Sequence, residues 1–146
     1  MEHSRKILVV DDAEFVQHIY RVCFRRIGSS TLFHAYNGSE ALRILELEGP
    51  VDLIILDLNM PVMDGLQFLS ELKNHPQHAG THVLVATTED KDDLIREAMN
   101  RGASSYLKKP FTMEQFLAFV EKILTTLPQR SRRPSQTDKP STPSTS

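Results

Sequence analysis

The stretch "LIILDLNMP", residues 53–61, is an apolar run that ends in one aspartate and a short turn closed by proline. Four consecutive apolar residues between Asp52 and Asp57 read as a strand buried on both faces, the kind that occurs in parallel sheets covered by helices. Such a strand holds its last residue with little freedom. The carboxylate of Asp57 is therefore delivered to a strand end.

Outward from this run, strand-like and helix-like segments alternate. "KILVV" (Lys6 to Val10) is a short β-branched run, and "AEFVQHIYRVCFRRIG" follows as a helix with Phe15, Ile19, Val22, Phe24 and Ile27 as its apolar positions and Gly28 as its stop. "TLFHA" is a second strand and "SEALRILELEG" its helix. After the Leu53 run comes "DGLQFLSELKN", a helix through Leu66, Phe68, Leu69 and Leu72. "HVLVATT" is a fourth strand, followed by "KDDLIREAMNRG" with Leu94, Ile95, Ala98 and Met99. "SSYLKKPF" gives a fifth strand, and "MEQFLAFVEKILTTL" places Phe116, Val120, Ile123, Leu124 and Leu127 on one face.

Five βα units imply a parallel sheet with helices on both faces, because parallel strands need crossovers and those are right-handed almost without exception. The expected fold class is α/β: a doubly wound, flavodoxin-like (βα)5 sheet of order 2-1-3-4-5. That order places a crevice outside the carboxyl ends of strands 1 and 3. Chemistry is expected there.

The 146 residues suit about one domain. All 58 apolar residues fall between Met1 and Leu127, so residues 1–127 form the expected domain. Residues 128–146, "PQRSRRPSQTDKPSTPSTS", are Pro/Ser/Thr-rich and are expected to be a disordered tail or the start of a linker in a longer regulator. The tail has four basic residues against one acidic, whereas the body has 13 basic against 18 acidic, a net −5. An acidic body argues against direct nucleic-acid binding, whose mark is a basic stripe. The charged partner to expect is a cation.

Cys23 stands alone, which excludes an internal disulfide and suits a small core residue. No apolar run reaches membrane-spanning length and no signal-peptide core precedes the first strand, so a cytoplasmic protein without membrane insertion is expected.

Asp11 and Asp12 follow the first strand and Asp57 follows the third, so the topology brings three carboxylates to one edge. They would repel one another unless a cation neutralised them. A hard divalent ion such as Mg²⁺ fits an all-oxygen site, and the six histidines lack ligand spacing for a softer metal. The plainer reading of "DD" is a helix N-cap pair. Strand 4 ends in Thr87 and Thr88, and strand 5 is followed by Lys108, Lys109 and Pro110. A hydroxyl and an ammonium at that edge are what a phosphoryl group on Asp57 needs, since its spread charge requires donors on every side. Singly, Thr as a helix cap and Lys in a solvated turn are the simpler explanations. As a set, the five positions are specific.

With "KILVVDD", "VDLIILDLNMPVMDG", "HVLVATTE" and "GASSYLKKPF" in this order and spacing, the chain resembles a response-regulator receiver domain of two-component signalling, similar to stand-alone chemotaxis-type receivers, over Lys6 to Leu127. The resemblance implies that Asp57 accepts a phosphoryl group from a sensor histidine kinase or a histidine phosphotransfer protein. It also implies that the domain catalyses its own phosphorylation and dephosphorylation rather than turning over a substrate as an enzyme does. By the same resemblance Mg²⁺ is bound by Asp12 directly, by Asp11 mainly through water, by Asp57 and by the backbone carbonyl of Asn59. Lys109 pairs with the phosphoryl oxygens and Thr87 donates to one. The resemblance further implies that Thr87 and Tyr106 form the switch that repacks helix 4, strand 5 and helix 5 and that the Lys109–Pro110 bond is cis, and Asn59 and Glu89 are expected to tune dephosphorylation. The kinase is expected on an exposed face of helix 1 carrying Gln17, His18, Arg21 and Arg25. The downstream partner is not legible.

Three other functions fit less well. A haloacid-dehalogenase-type phosphatase needs a second Asp two positions after its nucleophile, where this chain has Asn59. A nucleotide or flavin site needs a glycine turn after strand 1, where this chain has "DDAEF". A phosphorylation-independent scaffold has no use for the complete set of acids, Thr and Lys.

Overall fold

The computed structural model describes residues 4–128. Strands β1 (Arg5–Val10), β2 (Ser30–Ala35), β3 (Leu53–Leu56), β4 (His82–Thr87) and β5 (Ser105–Lys108) form one parallel sheet in the order β2-β1-β3-β4-β5. Helices α1 (Glu14–Ile27), α2 (Gly38–Glu48), α3 (Gly65–Leu72), α4 (Asp92–Asn100) and α5 (Met113–Thr126) make the crossovers and the last covering layer. The doubly wound architecture is the expected one. Beyond Pro128, the segment read as a tail or linker lies outside the described residues.

Strand alternation divides the core in two. Leu8, Val10, Ile54, Leu56, Val83 and Val85 point to the face covered by α2, α3 and α4, where Ala41, Leu45, Phe68, Leu69 and Ala98 meet them. Ile7, Val9, Leu53, Ile55, Leu84 and Ala86 point to the other face, against Tyr20, Cys23, Phe24, Phe116 and Val120 of α1 and α5. β3 is thus apolar at every position, and β1 and β4 are apolar through 7–10 and 83–86, because neither face meets water there. Cys23 is a buried free thiol, as a small core residue should be. No helix among the described residues is long and apolar enough to cross a membrane.

The face of α1 is the expected one only in part: Phe24 is buried and Ile19 and Ile27 pack on the core, but Phe15 does not. Phe15 is 74% exposed, while Gln17, Tyr20, Cys23 and Phe24 are buried. Apolar residues lie on two overlapping stripes of this helix, and Tyr20 packs its ring against Phe116 at 5.1 Å, which selects the stripe that includes two polar side chains. Gln17 therefore leaves the exposed face on which a kinase was expected, whereas His18 and Arg25 stay on it and Arg21 is half-buried. On α4 the correction is smaller. Ala98 is buried, Leu94 and Ile95 are half-buried, and Met99 is exposed.

Candidate functional site

Every strand of a parallel sheet ends at the same edge, and here the residues just past β1, β3, β4 and β5 converge. Asp57 begins the turn after β3, its backbone N–H donating to Val10 O at 3.0 Å, so the two central strands stay paired up to the acid. Its side chain is 8% exposed. Asp11, just past β1, is 2% exposed, and Asp12 beside it is exposed. One carboxylate oxygen from each of Asp11, Asp12 and Asp57 lies within 4.8 Å of the others.

The simpler reading of "DD" as a helix cap does not describe this arrangement. The N-cap of α1 is Ala13, which makes no side-chain cap bond, and Asp11 Oδ1 accepts from the Ala13 N–H at 2.9 Å. That bond keeps Asp11 out of the cap position and in the cleft, with the exposed Asp12 carboxylate at its mouth. Thr87 does not cap α4 either, since that helix starts from Lys91. Thr87 ends β4 fully buried, and its Oγ1 accepts from the Glu89 N–H at 3.2 Å.

Lys109 follows β5 by a backbone bond from its N–H to Thr87 O at 2.9 Å, and the Lys109–Pro110 peptide is cis. Its Nζ lies 2.6 Å from Asp11 Oδ2, with both side chains largely buried. Lys109 thus sits in the cleft, held by Asp11, and its neighbour Lys108 points out to Asp90 at 3.8 Å. Burial pushes the Asp57 carboxyl above the usual carboxylate range. The Lys109 charge opposes that rise, the Asp11 charge adds to it, and the Thr87 hydroxyl and Asn59 backbone N–H oppose it by hydrogen bonding. A buried acid beside a second acid and one ammonium is under-neutralised, which is the condition that favours binding of a cation.

Thr88 and Asn59 are exposed at the lip of the cleft, and Glu89 is half-buried with its Oε2 accepting from the Lys91 N–H at 3.0 Å. Tyr106, half-buried on β5, donates its hydroxyl to Glu89 O at 3.4 Å. The same residue therefore bonds both Thr87, through its N–H, and Tyr106, through its carbonyl.

Gly65, in the sequence simply the first residue of α3, closes the site. Its N–H donates to Leu58 O at 3.0 Å, and a Cβ there would lie 2.5 Å from Asp57 O and 2.7 Å from Leu58 Cα. Both are backbone atoms that cannot move aside, so the turn after Asp57 folds back only over a glycine. The cue was the "DG" pair that opens the helix. Val62, in the same turn, holds φ at 67°, an expensive value for a β-branched residue.

Together these features define a doubly wound α/β protein with an acidic cleft, able to hold a cation, at the switch point of its sheet. The chain belongs to the response regulator receiver domain family, which residues 7–121 match. It is 35% identical over 118 residues to the chemotaxis protein CheY of Pseudomonas aeruginosa, covering 81% of this chain and 94% of that one. It is 34% identical over 121 residues to sporulation initiation phosphotransferase F of Bacillus subtilis, covering 83% and 93%. Among solved structures, Vibrio cholerae chemotaxis protein CheY4 superposes with a TM-score of 0.75 at 31% identity, covering 82% of this chain and 98% of that one.

Proposed function

We propose that the protein is a phosphoacceptor of two-component signalling in which Asp57 takes a phosphoryl group from the phosphohistidine of a sensor kinase or phosphotransfer protein. One observation carries this reading: three carboxylates with oxygens within 4.8 Å converge with an ammonium and a buried hydroxyl on a single strand-end acid. The name of the Bacillus relative, a phosphotransferase, is consistent with it.

The residues fit a hard divalent cation, since the donors are carboxylates whose charges are only partly compensated. Asp11, Asp12, Asp57 and the Asn59 carbonyl would hold Mg²⁺, which when bound supplies charge compensation for phosphoryl oxygens. Asp57 attacks through one carboxylate oxygen. An O–P bond forms as the donor's N–P bond breaks, and the electron pair returns to the imidazole. Lys109 moves its ammonium from Asp11 to a phosphoryl oxygen, and Thr87 donates its hydroxyl to another.

When Thr87 turns toward the phosphoryl group, its Oγ1 leaves the Glu89 N–H. Glu89, whose carbonyl accepts the Tyr106 hydroxyl, is then free to shift. A change of charge on Asp57 thereby repacks α4, β5 and α5 and alters a partner-binding surface. Asn59 and Glu89 flank the path of the water that removes the phosphoryl group, so they set its lifetime. The domain acts on itself rather than turning over substrate, works in the cytoplasm and contacts proteins rather than nucleic acid.

The test is mass measurement of intact protein after treatment with acetyl phosphate and Mg²⁺. One added phosphoryl group is expected on the wild type and none on Asp57→Asn. An unmodified wild type, or equal labelling of the variant, contradicts the reading.

A further inference from the structure

A carboxamide sealed beneath the acidic cleft is unexplained by the chemistry above. Gln17 of α1 is fully buried, and each of its polar atoms has a partner. Its Nε2 donates to the carbonyls of Ala35 at 2.9 Å, Asp11 at 3.0 Å and Val9 at 3.3 Å. Its Oε1 lies 2.6 Å from His34 Nδ1. Two hydrogens serve three acceptors, so the longest bond, to Val9, is shared.

The orientation of this amide follows from its surroundings. Flipped, it would aim an acceptor oxygen at three carbonyl oxygens and a donor at His34. As it stands, His34 carries a proton on Nδ1 and donates it to Oε1, which neutral imidazole in one tautomer and imidazolium both permit. His34 thus holds the amide from behind. In front, the contacts cluster at one place: the Asp11 N–H donates to Ala35 O at 3.0 Å as the last rung between the ends of β1 and β2. Gln17 bonds the carbonyl on that rung and the carbonyl of Asp11 itself. The residue that brings a buried carboxylate to the cleft is therefore held on both sides of its Cα, at its N–H by Ala35 O and at its carbonyl by Gln17. Side chains that orient ligand-bearing groups tune a metal site without touching the metal.

We propose that Gln17 is a positioning residue for the cation site, fixing the Asp11–Asp12 backbone that aims two of the three carboxylates, with His34 locking its orientation. This rests on the reading of the cleft as a Mg²⁺ site. A leucine or methionine would fill the same space, so burial alone does not require an amide.

The experiment is titration of the full chain with Mg²⁺ by calorimetry, with no phosphoryl donor present, for wild type, Gln17→Met, His34→Leu and the double variant. Gln17→Met is expected to raise the Mg²⁺ dissociation constant about tenfold. His34→Leu should raise it less, and the double variant should match Gln17→Met, because both changes act through one contact. Saturating Mg²⁺ should then bring the acetyl phosphate reaction of Gln17→Met back to the wild-type rate, which a general loss of structure would not allow. A folded Gln17→Met with unchanged Mg²⁺ affinity, an additive double variant, or a rate defect that persists at saturation overturns the proposal. If Gln17→Met fails to fold, His34→Leu decides, an unchanged constant counting against. Wild-type protein that binds no Mg²⁺ removes the cation site and this inference together. Wild type that binds Mg²⁺ but accepts no phosphoryl group removes the phosphoacceptor reading and leaves Gln17 to be judged on binding alone.

Discussion

Asp57 is held in an environment that disfavours its charge in the absence of a metal. Burial is the larger cause, and the charge of Asp11 adds to it. A carboxyl whose folded-state pKa lies above its unfolded value contributes stability at pH below the unfolded value and loses it as pH rises through the folded one. Asp57→Asn is therefore expected to raise the thermal midpoint of metal-free protein at neutral pH, with the gain shrinking as the solution is acidified through the carboxylate range. Thermal melts at several pH values check this, and a gain that grows in acid contradicts it. Lys109 is the matching case of opposite charge. Without its ammonium at 2.6 Å, Asp11 becomes a buried carboxylate with no counter-ion, so Lys109→Met is expected to cost about 3 kcal/mol in urea unfolding without metal. Added Mg²⁺ should return part of that loss.

At the scale of the element, the turn between β3 and α3 shows how backbone geometry serves the site. Gly65→Ala drives a Cβ against Asp57 O and Leu58 Cα. It is expected to destabilise by about 2–3 kcal/mol and to slow phosphorylation, as measured by urea unfolding and by intact mass against time. Val62 is the reverse case, a strained residue at positive φ that is exposed and makes no core contact. Val62→Gly should stabilise by about 0.5–1 kcal/mol, the relief of the left-handed conformation less the added freedom of the unfolded chain. Helix α1 marks where reading from sequence stops. Its pattern offers Phe15, Ile19, Val22, Phe24 and Ile27 as the apolar positions, and nothing local separates Phe15 from the rest. The packing of Tyr20 on Phe116, far away in sequence, sets the helix so that Phe24 is buried and Phe15 exposed, and Gln17 follows Tyr20 into the interior.

Over the whole molecule, the sheet was legible because parallel topology leaves few choices once five βα units are counted, and strand order decides where strand ends meet. Convergence of Asp11, Asp12, Asp57, Thr87 and Lys109 at one edge follows from that order, since each lies at or just past the end of a strand. What the pattern could not show is which charge holds which. Lys109 rests on Asp11 at 2.6 Å, a pairing between residues 98 apart that the fold brings together with both side chains largely buried. Gln17 and Gly65 were hidden for a similar reason, because their parts in the site are contacts with backbone atoms of other elements. The proposed role of this edge is to place a phosphoryl group on Asp57. The most direct measurement is the intact mass of wild type and Asp57→Asn after acetyl phosphate with Mg²⁺, repeated with Mg²⁺ chelated. A single phosphoryl addition that needs both Asp57 and Mg²⁺ is predicted. Addition that survives loss of either one, or no addition at all, would contradict it.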